Sequence, residues 1–465
     1  MGCSEFFRRQ GRVWAASGIA VVLGCGAISA PTFGQDMTET LVRTYQNNPT
    51  LNAARAELRA VNESVPQALS NWRPNVLVTG SLGQARDDDS SSSNDAENRT
   101  PRQAQFSVVQ PLYRGGQTVA QTEQAENLVL AQRSILKSVE QSTMLSGATS
   151  YLDVWRDQSV LELNINNEEV LRRQLESTQD RFDVGELTRT DVAQAESQLA
   201  TATANRVAAE GTLAASRAVY QRVVGVYPEL LERPLEVSGL TDSEEMTIEL
   251  AVKNDPDVLA ATYNEVAAQK GVRLVLGELY PSLQVRGDLG YQTQLVTDND
   301  ESNFGQVLAE VTIPLYQQGQ VSSRVREAKQ TANQFRIQVE EARLQSRETA
   351  IQSWENLIST RAQIVSLKSA VRAASIALDG VREENQVGAR TIQDVLDAEQ
   401  ELLDAQVSLV VAERDELVAG YAILGSIGRL TALDLALPVD IYQPEADYKA
   451  VRNLWFGLDA PEADD

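Results

Sequence analysis

Two carboxylates three residues apart, Asp394 and Asp397, follow one guanidinium, Arg390, in the stretch Val387-Gly388-Ala389-Arg390-Thr391-Ile392-Gln393-Asp394-Val395-Leu396-Asp397-Ala398-Glu399. Side chains three apart share one face of a helix, so these aspartates can attract cations together, pair with arginine, or cap the helix start. The chain contains no His, which removes Ser-His and Cys-His triads and His-ligated zinc. Glu and Asp are abundant, but they fall on solvated helix faces, and no Gly-rich phosphate loop or metal-ligand spacing occurs. The expectation is charge placement without catalysis: no enzyme, no metal and no cofactor.

The same stretch has a near copy. Val184-Gly185, Thr188, Asp191, Val192, Ala195 and Glu196 each lie 203 positions before a matching residue, and Leu199 with Leu402 and Ala202 with Ala405 extend the match. In both copies a Gly interrupts helical sequence, and a Thr followed three residues later by Asp sits where a new helix would start. The chain reads as duplicated, with one helical hairpin tip per half, near 185 and near 388.

Composition sets the frame. Of 465 residues only 14 are Pro, and aromatics make up 5% against 42% hydrophobic, the profile of long helices. Net charge is −24, which argues against nucleic acid as a partner. Residues 1–34 read as an export signal: Arg8, Arg9 and Arg12 precede an apolar run from Val13 to Ala30, with Thr32 and Gly34 before a cut at Gln35. A membrane anchor is the alternative, although glycines interrupt the run. Both cysteines, Cys3 and Cys25, fall inside it. Cys25 follows Val22-Leu23-Gly24, a lipoprotein-like box with a bulky Leu, so lipidation is the alternative fate. No later stretch is apolar and long enough for a transmembrane helix, so a membrane span would have to be a closed barrel of strands.

Such strands are visible. A helix over Met37–Ser70, notched at Pro49 and Pro66, precedes a strand over Pro74–Gly83, a polar serine-rich loop, and a return strand to Leu112. In the second half, Leu283, Val285, Gly287, Leu289 and Tyr291 alternate with Gln284, Arg286, Asp288 and Gln292, and a return strand runs over Val307–Leu315 after a loop at Thr297–Ser302. These lengths suit a tilted bilayer crossing of ~9–11 residues. Four strands cannot close a barrel, and open edges cannot sit in lipid, so the chain must oligomerise.

Beyond Pro111-Leu112-Tyr113-Arg114-Gly115-Gly116-Gln117, echoed by Pro314 to Gln320, no proline occurs until Pro228 and Pro438 respectively. Gln117 to Val184 would form a rod on the order of 100 Å. Leu357, Ile364, Leu367, Val371, Ala374, Leu378 and Val381 step with coiled-coil spacing, as do Val395, Ala398, Leu402, Ala405, Leu409 and Ala412. Val192, Ala195, Leu199, Ala202 and Ala209 repeat it, with Arg206 intruding. The organisation read from these signals is a first repeat over 35–227 (hairpin 74–112), a connector over 228–245, a second repeat over 246–428 (hairpin 281–315), and an irregular equatorial segment with an acidic tail over 429–465.

The tip copies, paired strand hairpins and strand-to-helix corners together resemble the TolC-like outer-membrane efflux family over nearly the whole mature chain. The resemblance implies a mainly α fold with membrane β: long coiled-coil helices forming an α-barrel, and four strands per chain completing a twelve-stranded barrel in a homotrimer. It implies an exit duct for efflux or type I secretion in the outer membrane of a Gram-negative bacterium, reaching through the periplasm. Partners would be outer-membrane lipid, a periplasmic adaptor protein, and an ABC or proton-driven inner-membrane transporter. Arg390, Asp394 and Asp397 match the family's arginine and paired aspartates, and Thr190 and Asp191 its polar pair, which would hold and line the periplasmic constriction. Gly185, Leu187, Thr188, Gly388, Ala389 and Thr391 would be the adaptor-docking tips. The family's tip aromatic is replaced by Asn385. The alternative is a periplasmic adaptor-like or coiled-coil scaffold protein without a barrel, which would not need paired strand hairpins.

Overall fold

The computed structural model describes residues 36–87, 97–295 and 300–458. The expected export signal, both cysteines, most of the two polar loops and the acidic tail from Asp459 lie outside the described residues.

Each half repeats one order of elements. The first runs through helices α1 (Met37–Asn47), α2 (Pro49–Asn62) and α3 (Ser64–Leu69), strand β1 (Asn75–Leu82), a short pair β2 (Ala85–Asp87) and β3 (Glu97–Arg99), strand β4 (Arg102–Arg114), and helices α4 (Gln117–Asp183) and α5 (Arg189–Val224). The second runs through α6 (Glu244–Asn254), α7 (Pro256–Leu276), β5 (Ser282–Thr293), β6 (Glu301–Thr312), α8 (Gln320–Gln386) and α9 (Ile392–Ser426). A last helix, α10 (Pro444–Arg452), follows. Helices α4 and α8 have 67 residues each, which makes each about 100 Å long.

Local chemistry sets the breaks. The expected helix over Met37–Ser70, notched at Pro49 and Pro66, is three separate helices. The Asn48 side chain accepts from the backbone N–H of Thr50 at 2.9 Å and of Leu51 at 3.3 Å, so Pro49 opens α2 at the position where its missing N–H costs nothing. Asp255 and Pro256 do the same at α7. At the C-terminal end, residues 430–437 carry Leu430, Ala432 and Leu437 into a core with Tyr45, Leu58 and Met144. The segment read as irregular then forms α10, with Pro444 in its first turn, Glu445 and Asp447 near its start, and Lys449 and Arg452 near its end.

The four long strands form an antiparallel sheet ordered β1-β4-β5-β6. Strand β6 begins at Glu301 rather than Val307, because pairing continues to Thr293 opposite Glu301. The register puts Gln105, Ser107, Arg286, Asp288 and Gln306 on one face and Phe106, Val108, Leu289, Val307 and Val311 on the other. Asp288 is 1% exposed. It accepts from Ser107 Oγ at 2.8 Å, Gln105 Nε2 at 3.0 Å, Gln306 Nε2 at 3.0 Å and Arg286 Nε at 2.9 Å, tying three strands together. Among the described residues no helix is long and apolar enough to cross a membrane.

Of the expected seams, Leu357, Ile364, Ala374 and Leu378 on α8 are buried, as are Val395 and Ala412 on α9, while Leu367, Val371, Ala398, Leu402, Ala405 and Leu409 are half-buried within the chain. Arg206, the intruder in the α5 seam, is satisfied by Glu168 of α4, donating from Nε to Oε2 at 2.5 Å.

Candidate functional site: the paired hairpin tips

Helix α4 turns into α5, and α8 into α9, through the same backbone chemistry. Gly185 and Gly388 adopt left-handed φ of 83° and 78°. The N–H of Glu186 donates to Arg181 O at 2.9 Å, and that of Ala389 to Glu384 O at 2.9 Å, closing the helix C-terminus around the glycine. A capping box opens the next helix. Thr188 Oγ1 accepts from Asp191 N while Asp191 Oδ2 accepts from Thr188 N at 2.8 Å; Thr391 and Asp394 repeat this at 2.9 Å. Each threonine hydroxyl also donates to its aspartate, and these bonds hold both carboxyls below the usual range, with Arg390 adding to the effect at Asp394.

Each tip also carries an ion pair across its glycine, with reversed polarity. In the first, Arg181 Nε approaches Glu186 Oε2 at 3.3 Å; in the second, Arg390 Nε donates to Glu384 Oε2 at 2.9 Å. Arg390 Nη1 lies 3.9 Å from Asp394 Oδ1, and its backbone carbonyl accepts from Asn385 Nδ2 at 2.9 Å. Within one chain, among the described residues, Arg390 is therefore held by its own hairpin rather than by Thr190 or Asp191. Thr190 is exposed. Asp397 is exposed and accepts from Gln393 Nε2 at 2.6 Å.

Gly185, Thr188, Gly388, Ala389 and Thr391 are exposed at the tips. Leu187 is half-buried, packing with Leu199 on a cluster of Leu171, Ala202, Ile392 and Leu396 that couples the two hairpins. Below the second tip, Glu399 is buried and its Oε1 accepts from Arg382 Nη2 at 3.0 Å, while Oε2 has no hydrogen-bond partner among the described residues. Burial pushes this carboxyl up, and Arg382 offsets part of that.

The Glu384 partner of Arg390, the Asn385 bond to the Arg390 carbonyl, the packing of Leu187 and the Arg382–Glu399 pair were not read from the sequence. Opposite charges six residues apart around Gly388 were a usable signal for the first. Arg382 and Glu399, seventeen residues apart on different helices, gave none. No group of His, Cys, Asp and Glu able to hold a metal occurs among the described residues.

Comparison with known proteins agrees with this architecture. The family model described as "Outer membrane efflux protein" matches twice, over residues 40–226 and 247–429. The chain is 35% identical over 443 residues to the outer membrane efflux protein BepC of Brucella suis, covering 95% of both chains. It is 28% identical to the outer membrane protein TolC of Vibrio cholerae, over 88% of this chain and 94% of that one. The solved outer membrane protein VceC of Vibrio cholerae superposes with a TM-score of 0.71 at 19% identity, covering 84% of this chain and 96% of its own. These relatives are Gram-negative outer-membrane channels rather than enzymes. The duplicated helical hairpins, the four-stranded sheet and the matched tips thus place the chain in the outer membrane efflux protein family.

Proposed function

We propose that the protein is the homotrimeric exit duct of a tripartite efflux or type I secretion system. Its hairpin tips would dock a periplasmic adaptor beneath which an ABC or proton-driven inner-membrane transporter works. The observation carrying this reading is the sheet. Strands β1 and β6 each leave one edge unpaired within the chain, and unpaired backbone cannot face lipid. Copies of the same sheet, β6 of one beside β1 of the next, remove every edge. Three copies give twelve strands with the polar face of Asp288 towards water and the face of Val307 towards lipid.

The helices support the same closure. Ile337, Leu344, Ile358 and Val365 are exposed on α8 at spacings that are multiples of seven, a second apolar stripe with no partner inside the chain and the pattern of a helix–helix seam. Residues 1–34 would direct export and be removed. In this arrangement the tips close the periplasmic end, with Asp394 and Asp397 around the opening and Arg390, Thr190 and Asp191 beside it.

Sizing in detergent combined with planar-bilayer recording tests the proposal. A trimer that inserts and conducts is expected. A folded, stable monomer would remove the channel reading.

A further inference from the structure

We propose that the chain following α10, from Leu454 to Leu458, is a lipid-interface anchor that seats the protein on the periplasmic leaflet of its membrane. The inference rests on the barrel reading above.

Helix α10 is fixed to the first helical repeat by polar contacts: Arg133 Nη1 reaches Glu445 Oε1 at 3.0 Å, and Arg452 Nη2 reaches Glu126 Oε1 at 2.9 Å. The chain leaving it is held by Arg73, two residues before β1 begins. The Arg73 Nη1 donates to the carbonyl of Leu454 at 2.6 Å, and its guanidinium carbon lies 4.9 Å from the centre of the Trp455 ring. The anchored segment nevertheless presents its apolar groups outward. Trp455 is 62% exposed, Phe456 88%, and Leu458 fully. A soluble surface rarely keeps such side chains together without something to cover them.

The level at which they sit says what covers them. Asn75 pairs with Val109, Arg114 with Ser282 and Ser282 with Thr312, so all four long strands enter or leave the helical part at one end of the sheet. That end carries exposed Trp72, Tyr113, Tyr280, Leu315 and Tyr316. A register shift between Pro111 and Tyr113 puts Tyr113 opposite Leu283, on the face that carries Val311. Apolar strands that end in Trp and Tyr mark the headgroup level of a membrane barrel, where an amphipathic ring keeps one side dry and one wet. Trp455 and Phe456 continue that belt from a different part of the chain, and Arg73 is the residue that brings them to it. The occupant is the headgroup and upper acyl zone of glycerophospholipid.

The test uses the full-length protein in phosphatidylethanolamine–phosphatidylglycerol vesicles doped with lipid carrying a spin label either near the glycerol or near the chain end. Trp455→Phe isolates one emitter by difference. The expected result is an emission component quenched at least twofold more by the shallow label than by the deep one. That component should be absent from Trp455→Phe and reduced in Arg73→Gln, where Trp455 remains but is no longer held. Equal quenching of parent and Trp455→Phe by both labels, with iodide reaching Trp455 as freely in vesicles as in detergent, overturns the anchor. Efficient subunit-to-subunit crosslinking through Phe456→Cys also overturns it, by giving the segment a protein partner. Bilayer conductance of the same parent preparation separates the failures. Conductance without shallow quenching sinks the anchor alone; absence of insertion sinks the barrel and the anchor together.

Discussion

Arg390 donates to Glu384 across the turn of its own hairpin, at 2.9 Å, with both side chains half exposed. A solvent-exposed pair of this kind is weak, so it can exchange for a carboxylate of a neighbouring hairpin. Glu384 therefore competes for the arginine proposed to hold the tips together. Glu384→Gln should release Arg390 to its neighbours and lower resting conductance in a planar bilayer, by up to about fivefold. Arg390→Ser should raise it. An increase with Glu384→Gln would show that the intrahairpin pair itself keeps the tip closed.

Gly388 has left-handed φ and open space beyond it, with no atom within 4 Å of where a Cβ would stand. A side chain there leaves the backbone into open space among the described residues; its main cost is the backbone strain of a non-glycine residue, about 1–2 kcal/mol. Gly388→Val should thus leave assembly and membrane insertion intact while abolishing export, because the added bulk meets only the docked partner. Gly388→Asn, better suited to this conformation, is the control for strain. Export at parental level in a drug-susceptibility assay with Gly388→Val would mean that the tips are not the docking surface.

What could be read from the sequence was what local chemistry decides. The tips were visible because a left-handed glycine and a Thr-x-x-Asp box specify a turn within eight residues. The α8 seam was visible because its spacing survives in a straight rod. The break at Asn48–Pro49 was read only as a notch, since the capping strength of Asn48 depends on geometry. Asp288 could be placed on the polar face by alternation, but its partners Ser107 and Gln306 come from strands 181 residues before it and 18 after it in the sequence. The contact of Leu187 with Ile392 and Leu396 was not legible, since only the packing of one hairpin on the other brings these residues near.

The buried Asp288 makes a test of the sheet. Replacing it with Ala removes the one acceptor shared by Gln105, Ser107, Gln306 and Arg286. That leaves the Gln105, Ser107 and Gln306 donors without their shared acceptor between the strands, while Arg286 can turn to water. Asp288→Ala should lower the temperature at which the assembled protein dissociates in detergent, read by gel mobility after graded heating. Asp288→Asn should lie between, since one acceptor oxygen remains. Unchanged heat resistance in Asp288→Ala would mean that the strands are held without this network.

Glu399 predicts a pH dependence at the base of the second tip. Because burial raises its carboxyl, the folded hairpin holds the proton more tightly than the unfolded chain. That contribution to stability is fully present below the ordinary value of ~4.3 and is lost as pH rises through the raised value. Glu399→Gln should remove this dependence and melt at or above the parent near neutral pH. Arg382→Ala should cost about 1–3 kcal/mol by leaving the buried carboxylate unpaired, and the loss should vanish in the Glu399→Gln background. Thermal unfolding by circular dichroism between pH 4.5 and 8 reads both; an identical pH profile for parent and Glu399→Gln would rule the carboxyl out.

The last prediction concerns the aspartates themselves. Asp394 and Asp397 both stand in the first two turns of α9, and Asp397 is exposed. In the proposed trimer they would form two stacked rings around the opening. Like charges gathered around one opening repel, so the rings should hold counter-ions, favour cations and be plugged by multivalent ones. Added salt should weaken both effects. Because Thr391 and Arg390 hold the Asp394 carboxyl low, its ring should keep its charge until the pH falls below the ordinary ~3.9. The double variant Asp394→Asn with Asp397→Asn should lose multivalent-cation block by tenfold or more, the factor that ~1.4 kcal/mol corresponds to. Asparagine keeps a side-chain acceptor oxygen for the Thr391 N–H of the capping box, and the Thr391 N-cap is untouched, so the α9 start should survive and the comparison should report charge alone. A double variant blocked as strongly as the parent would leave Asp394 a helix cap and Asp397 a solvated side chain.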